Sequence, residues 1–297
     1  IILAAAGGIF GCISYYQSRK AQSTLKGAEV SVWVSVKENQ TQEEAGTEME
    51  SLLEEFYSAY PEVSVNVSYI PEAEYEDKLQ AAASEGSFPT LYENAPEELL
   101  NVRGADLSEV FTLVNREDYY CMNPELLGQS VDKRIPLGMH TPVVYKNTLL
   151  EAQAAPANDR NSFLAGNSWF MVGDCEDYGT VQDALPGIYS MYELPEESMV
   201  LKYDHVWSVD SEASKLNQTA ARRILSYFLS ENAQDVLYLQ NQGAFPLNKS
   251  EMAAYLEIYP EFDFVSGLLD GGKFQVFWDD ASYKEKMDSC YETLRDD

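Results

Sequence analysis

The first patterned stretch of the chain runs from Glu29 to Val36, where Val30, Val32, Val34 and Val36 alternate with polar positions and with Trp33. A period of two puts the valines on one face of an extended segment, so the stretch predicts a β-strand. Met49, Leu52, Leu53, Phe56, Tyr57 and Tyr60 then recur at i, i+3, i+4, i+7, i+8 and i+11. That is the apolar stripe of an amphipathic helix, and Pro61 ends it. Val63, Val65, Val67 and Tyr69 alternate as a second strand. Pro71 opens a second helix carrying Tyr75, Leu79, Ala82 and Ala83, which Gly86 and Pro89 break, and Thr90-Leu91-Tyr92 forms a short third strand. Strand, helix, strand, helix, strand is the order of an α/β domain with a mainly parallel sheet. Ligands of such sheets gather beyond the carboxyl ends of the strands. The face to watch is therefore made by the loops Lys37–Gln40, Ile70–Glu72 and Glu93–Asn94.

The middle of the chain is less regular. Two short strands are expected in Ile135–Asn147, around Gly138-Met139-His140-Thr141-Pro142, and a surface connection over Ala152–Asn161. Further strands are expected at Trp169–Gly173, Ile188–Leu194 and Val206–Asp210. Helices are expected at Thr219–Leu229, Ala233–Gln242, Ser250–Ile258 and Ala281–Leu294, with Gly243 and Pro246 breaking the second of these.

The N-terminal stretch has a different character. Ile1 to Tyr16, IILAAAGGIFGCISYY, carries no charge. Spanning about 30 Å of hydrocarbon takes about 20 apolar residues, so residues 1–16 read as the core of a signal peptide or part of an anchor helix, with a buried core helix as the alternative. Residues 17–28 read as a polar tether. The whole chain has 297 residues, long enough for two lobes of about 100–150, and 45% of it is apolar. Its 20 Lys and Arg face 49 Asp and Glu, a formal charge of −29. Residues 1–30 hold Arg19, Lys20 and Lys26 against Glu29, a balance of +2, which leaves −31 for the remainder. A polyanion repels phosphate backbones and anionic membrane surfaces, so nucleic acid is excluded as a partner.

Candidate chemistry is sparse. The four cysteines form no CxxC or Cys/His ladder, which gives a metal site no sequence support. Cys12, in Ile9-Phe10-Gly11-Cys12, resembles the lipidated cysteine of a bacterial lipobox. Cys121, Cys175 and Cys290 read as core residues, with a Cys121–Cys175 disulfide as the alternative. Only His140 and His205 are available as imidazoles, no G-x-S-x-G or G-x-G-x-x-G is present, and Gly271-Gly272-Lys273 lacks the rest of a P-loop. No enzyme activity and no cofactor are expected. Asp174, Glu176 and Asp177 lack the alternating ligand pattern of an EF-hand and read as a solvated acidic loop, with an adventitious or structural cation as the alternative. The aromatic content says more. Tyr, Phe and Trp make up 12% of the chain, and aromatic faces with carboxylate and amide partners suit the apolar faces and hydroxyls of a sugar.

VSVWVSVKENQ, and then FYSAYPEVSVNVSYIPEAEYEDKLQAAASEGSFPTLYEN, resemble the opening of bacterial extracellular solute-binding proteins, the receptors of ABC importers. The likeness is to the sugar-binding branch that includes maltose-binding protein. Gly86-Ser87-Phe88-Pro89-Thr90 fills a turn that in the family ends in Asp. IPLGMHTPVVYKNTLLE resembles the family's hinge segment, SFLAGNSWFMVGDCEDYG its F-x-x-G element, and the stretch from Val206 to Asn248 its closing helices. The resemblance covers most of residues 29–260. It implies a two-lobe periplasmic-binding-protein-like α/β fold of type II with hinge strands, lobe one being 29–139 plus 206–243 and lobe two 140–205 plus 244–297. Only the short Ala152–Asn161 stretch stands where the family has a large helical insertion, so lobe two is expected to be trimmed.

The resemblance also implies the contacts. Lys37, Glu38 and Asn39 follow strand one, Glu93 and Asn94 follow strand three, and His140 and Thr141 sit in the hinge. Asp174, Glu176 and Tyr178 belong to lobe two, and Trp278 occupies the place of a sugar-stacking tryptophan. Each has a plainer alternative: a solvated loop for Lys37 and Glu38, a satisfied hinge residue for His140, a core anchor for Trp278. Trp33 and Trp207 read as packing residues. The implied function is capture of a small solute, a carbohydrate by preference, at the extracellular face of the bacterial membrane. The partners are an importer permease or other membrane protein, and the membrane itself through the N-terminus. The rivals are a membrane-tethered ligand-sensing ectodomain and a degenerate binding scaffold.

Overall fold

The computed structural model describes residues 24–38, 40–120, 132–151, 158–195, 199–239 and 244–296. The apolar stretch 1–16, Cys12, Asn39 and Cys121 lie outside the described residues. In chain order the strands are β1 (Glu29–Val36), β2 (Ser64–Pro71), β3 (Leu91–Glu93), β4 (Gly138–His140), β5 (Pro142–Asn147), β6 (Phe170–Asp174), β7 (Tyr189–Tyr192), β8 (Met199–Asp204), β9 (Trp207–Val209), β10 (Phe245–Pro246) and β11 (Phe274–Phe277). The helices are α1 (Gln42–Ala59), α2 (Glu72–Glu85), α3 (Glu97–Arg103), α4 (Val110–Leu113), α5 (Arg160–Leu164), α6 (Tyr178–Ala184), α7 (Lys215–Phe228), α8 (Glu231–Gln234), α9 (Lys249–Ile258), α10 (Phe264–Gly271) and α11 (Asp280–Asp296). Among the described residues no helix is long and apolar enough to cross a membrane.

The chain divides into two compact units, each assembled from three separated stretches. The described residues of Ile1–Val114, Gln129–Ile135 and Val206–Ala233 form the first, and those of Asn115–Gly128, Pro136–His205 and Gln234–Asp297 the second.

The first unit is built on a sheet of order β2-β1-β3-β9, with β1 parallel to β2 and β3, and β9 antiparallel to β3. Val30, Val32, Val34 and Val36 are all buried, as their alternation requires. Trp33 points to the opposite face and packs against a cluster of Ile70, Tyr75, Leu79, Tyr92 and Leu100. Thr41 starts α1 with a capping box. Its hydroxyl accepts from the Glu44 N–H at 3.2 Å, and the Glu44 carboxylate accepts from the Thr41 N–H at 2.7 Å. Met49, Leu52, Leu53 and Phe56 are buried along the helix, and Tyr60 is buried just past it. Tyr57 departs from the predicted stripe and is 39% exposed. At about 100° per residue it lies some 80° round the helix from Met49, whereas Phe56 lies within about 20°. The helix α2 ends where Gly86 takes a left-handed φ of +74°. Trp207 is buried and meets Phe228 edge-on at 5.4 Å, in the packing role expected of it.

The second unit holds two smaller sheets, of order β10-β4-β8-β11 and β6-β5-β7. In the first, β4 runs antiparallel to β10 and β8, and β11 runs parallel to β8. In the second, β5 pairs antiparallel with β6 and β7. Helix α11 closes over Val144, Phe170, Val172 and Val200 with Tyr283, Cys290 and Tyr291, and the rings of Phe170 and Tyr291 stack at 4.6 Å. Three strands here, β8, β10 and β11, have no counterpart in the sequence reading. Where a helix is predicted over Ala233–Gln242, the chain instead makes the short α8, which starts earlier at Glu231, and then a wide π-type turn over Asp235–Leu239. Cys175 and Cys290 are both buried.

Candidate functional site

In the first unit, the loops after β1 and β3 leave the same rim of the parallel strands. Glu93, the last residue of β3, is 1% exposed and turns inward. Its carboxylate accepts from the Ser35 N–H at 3.0 Å and so braces the strand end that leads into Lys37. The Tyr75 hydroxyl donates to the Trp33 carbonyl at 3.0 Å and accepts from the Glu93 N–H at 2.9 Å. Burial first, and the Glu93 charge second, push the Tyr75 phenol well above its ordinary range. Asn94 is exposed and bends the chain at φ +45°, a conformation its short amide side chain tolerates. Its N–H donates to the Val206 carbonyl at 2.7 Å, and its side-chain oxygen accepts from the Val206 N–H at 3.2 Å. Glu38 is exposed and Lys37 half-buried.

In the second unit the site centres on His140, which is 1% exposed at the end of β4. Its Nδ1 lies 3.0 Å from Asp174 Oδ1, and its Nε2 lies 3.1 Å from Asp204 Oδ1 and 3.9 Å from Glu176 Oε1. Burial opposes a charged ring, but the Asp174 and Asp204 carboxylates outweigh it and raise the imidazole to about 10. His140 is thus an imidazolium at neutral pH, held between two carboxylates. Asp174 also accepts from the Glu176 N–H at 2.9 Å, from the Cys175 thiol at 3.3 Å and from the Tyr283 hydroxyl at 2.7 Å. Burial would raise its carboxyl, yet the His140 charge and these donors hold it well below the usual carboxylate range. Burial and the Asp174 charge push the Cys175 thiol and the Tyr283 phenol well up.

Local structure explains the convergence. Asp174 caps the 3-10 turn Cys175–Asp177, and Asp177 returns a carboxylate to the Asp174 N–H at 2.9 Å. The Cys175 N–H donates to the Thr141 carbonyl at 3.0 Å, and the buried Thr141 hydroxyl donates to the Val200 carbonyl at 2.8 Å. These bonds hold the His140–Thr141 step against the end of β6. Gly138 permits the packing behind it. A Cβ there would fall 2.3 Å from the Tyr238 ring, whose hydroxyl reaches Asp204 at 3.5 Å.

His140, Asp174 and Glu176 line a pocket of about 500 Å³, which Lys202, Asp280 and Tyr283 also border. Lys202 is paired with Asp280, whose bond outweighs burial and raises the ammonium. Tyr178 is buried away from this pocket, edge-on against Phe262 at 5.1 Å. Trp278 is half-buried and tilted against Tyr203 at 4.5 Å.

The structure therefore brings His140, Thr141, Asp174 and Glu176 together in the second unit, and Lys37, Glu38, Glu93 and Asn94 along one rim of the first. Sequence reasoning missed Asp204, Lys202 and Tyr283. The first two sit on β8, whose signal was the apolar run Met199-Val200-Leu201. Nothing in the sequence marks Tyr283, which is one aromatic among many on a terminal helix.

No protein-family model matches the chain, and no curated protein matches it. Solved structures do. The cyclic alpha-maltosyl-1,6-maltose binding protein from Arthrobacter globiformis superposes at a TM-score of 0.63 with 12% identity, over 84% of this chain and 88% of that one. A family 1 extracellular solute-binding protein from Alicyclobacillus acidocaldarius gives 0.65 with 11% identity, over 91% and 93%. A maltodextrin binding protein from L. casei BL23 gives 0.63 with 12% identity, over 90% and 94%. The chain shares the α/β fold of these binding proteins.

Proposed function

We propose that the protein is an extracellular solute-binding protein that captures a carbohydrate for an ABC importer, without catalysing a reaction on it. The observation that carries this reading is the fold. Structures described as binding maltodextrin and a cyclic maltosyl sugar align with it over more than four fifths of both chains. The resemblance of the quoted segments, from the tryptophan-bearing strand to the closing helices, supports the same reading independently. Within the first unit the candidate contacts are Lys37, Glu38, Asn39, Glu93 and Asn94, and within the second, trimmed one they are His140, Thr141, Asp174, Glu176 and Trp278. The apolar stretch 1–16, or lipid on Cys12, would hold the domain at the membrane beside its permease.

Calorimetric titration against a panel of linear and cyclic oligosaccharides tests the function. A ligand of micromolar affinity, about −8 kcal/mol, is expected, with Trp278→Ala weakening it at least tenfold. No heat with any sugar, and no thermal shift from a small-molecule library, would leave a binding scaffold without a small ligand.

A further inference from the structure

We infer that His140, Asp174 and Cys175 form a binding site for a borderline transition-metal dication, with zinc as its occupant. An imidazole nitrogen, a carboxylate oxygen and a thiol sulfur lie within 4.8 Å of one another. That mixed nitrogen, oxygen and sulfur set suits Zn²⁺ and not the hard, oxygen-seeking Ca²⁺ or Mg²⁺.

The surroundings are those of a metal site. Asp204 lies 3.1 Å from His140 Nε2, on the far side of the ring from the other two donors. A carboxylate on the outer nitrogen of a ligating histidine fixes the ring and raises its basicity. Tyr283 donates to the second oxygen of Asp174 at 2.7 Å, which leaves Oδ1 as the oxygen facing His140 and Cys175. The paired backbones hold the three positions. Pro142 is opposite Asp174 in the β5–β6 register, and the Cys175 N–H is bonded to the Thr141 carbonyl. The pocket bordered by His140 and Asp174 supplies an entry path and room for a fourth ligand, water included.

The geometry of the three donors carries the argument. A metal ion bonds the thiolate sulfur and the unprotonated ring nitrogen, so its entry sends the Cys175 thiol proton, and any proton on His140 Nδ1, to solvent. No electron is transferred, so no oxidant or reductant is needed. This site does not depend on the carbohydrate reading: metal binding without sugar binding, or the reverse, separates the two.

The test uses the full chain titrated with Co²⁺ as a spectroscopic stand-in for zinc. A near-ultraviolet thiolate-to-cobalt charge-transfer band is expected, abolished by equimolar Zn²⁺ and by Cys175→Ser. It should persist when Cys12, Cys121 and Cys290 are all replaced by Ser. Asp204→Asn should keep the band and weaken affinity about 10–100-fold. Paired-buffer calorimetry should show net proton release on zinc binding. Cobalt binding without a thiolate band, a band that survives Cys175→Ser, or no binding at millimolar metal would each overturn the site. Should Cys175→Ser fail to fold, the presence or absence of the band in the unaltered chain and in the variant lacking the other three cysteines decides.

Discussion

Arg103 and Asp210 show how much a buried charge depends on its partner. The guanidinium Nε lies 3.0 Å from Asp210 Oδ1, a second nitrogen donates to Asp210 Oδ2 at 3.0 Å, and a third to Glu212 at 2.6 Å. The ring of Phe88 lies 4.6 Å below the group. Removing one partner of such a pair strands the other charge away from water, so Arg103→Ala should cost about 3–5 kcal/mol. Urea denaturation would show this as a lower midpoint with an unchanged slope. His140 makes a second residue-scale prediction. Its pKa stands at about 10 against an ordinary 6.5, while that of Asp174 lies below its ordinary 3.8. The stability that His140 contributes is complete below about pH 6.5 and is lost as pH rises through 10. That of Asp174 is present above about pH 4 and is lost on acidification. The carboxylates facing the ring are Asp174, Asp204 and Glu176. The thermal midpoint should therefore fall between pH 7 and 10, and His140→Gln should flatten that fall. An equal fall in both proteins would show that another group controls it.

At the scale of elements, helix α1 depends on its first turn. Its capping box satisfies N–H groups that no intrahelical carbonyl can reach. Thr41→Ala should lower stability by about 1 kcal/mol, read from chemical denaturation, while Thr41→Ser should recover most of the loss. The secondary structure of the first unit was legible because its strands and helices are long and strongly periodic. Four alternating valines can bury only as a strand, and the stripe of α1 can bury only as a helix. Tyr57 marks the limit of that reasoning, since a stripe's edge is decided by what packs beside it. In the second unit the elements are short. The run Met199-Val200-Leu201 is compatible with strand or helix until its neighbours are known, and it became β8 by pairing with β4 and β11. The strand β10 has two residues and exists only through its partner.

For the molecule as a whole, the formal charge of −29 is a source of self-repulsion. Repulsion between exposed charges beyond about 10 Å is screened at 0.1 M salt and above. The thermal midpoint should accordingly rise between 10 mM and 0.5 M sodium chloride. A fall would mean that attractive surface pairs, such as Lys78 with Glu74 at 2.9 Å, outweigh the excess of acid. The same charge limits partners. Nucleic acid is disfavoured, and the carbohydrate proposed as ligand is neutral.

The candidate site divides along similar lines. His140, Asp174 and Glu176 could be singled out because ordered segments resemble those of one family, and a resemblance transfers positions. It could not show that Asp204 completes the pair around His140, or that Tyr283 and Cys175 converge on Asp174. Those groups lie up to 143 positions apart in the chain, between His140 and Tyr283, and only the pairing of strands and the docking of α11 bring them together. The sequence by itself determined the alternation of strand and helix, the ends of helices at proline and glycine, and the overall charge, because each depends on neighbouring residues or on composition. Tertiary structure alone decided which carboxylates lost their water and which donors replaced it. Burial and ionisation depend on long-range neighbours, and local sequence carries no record of them.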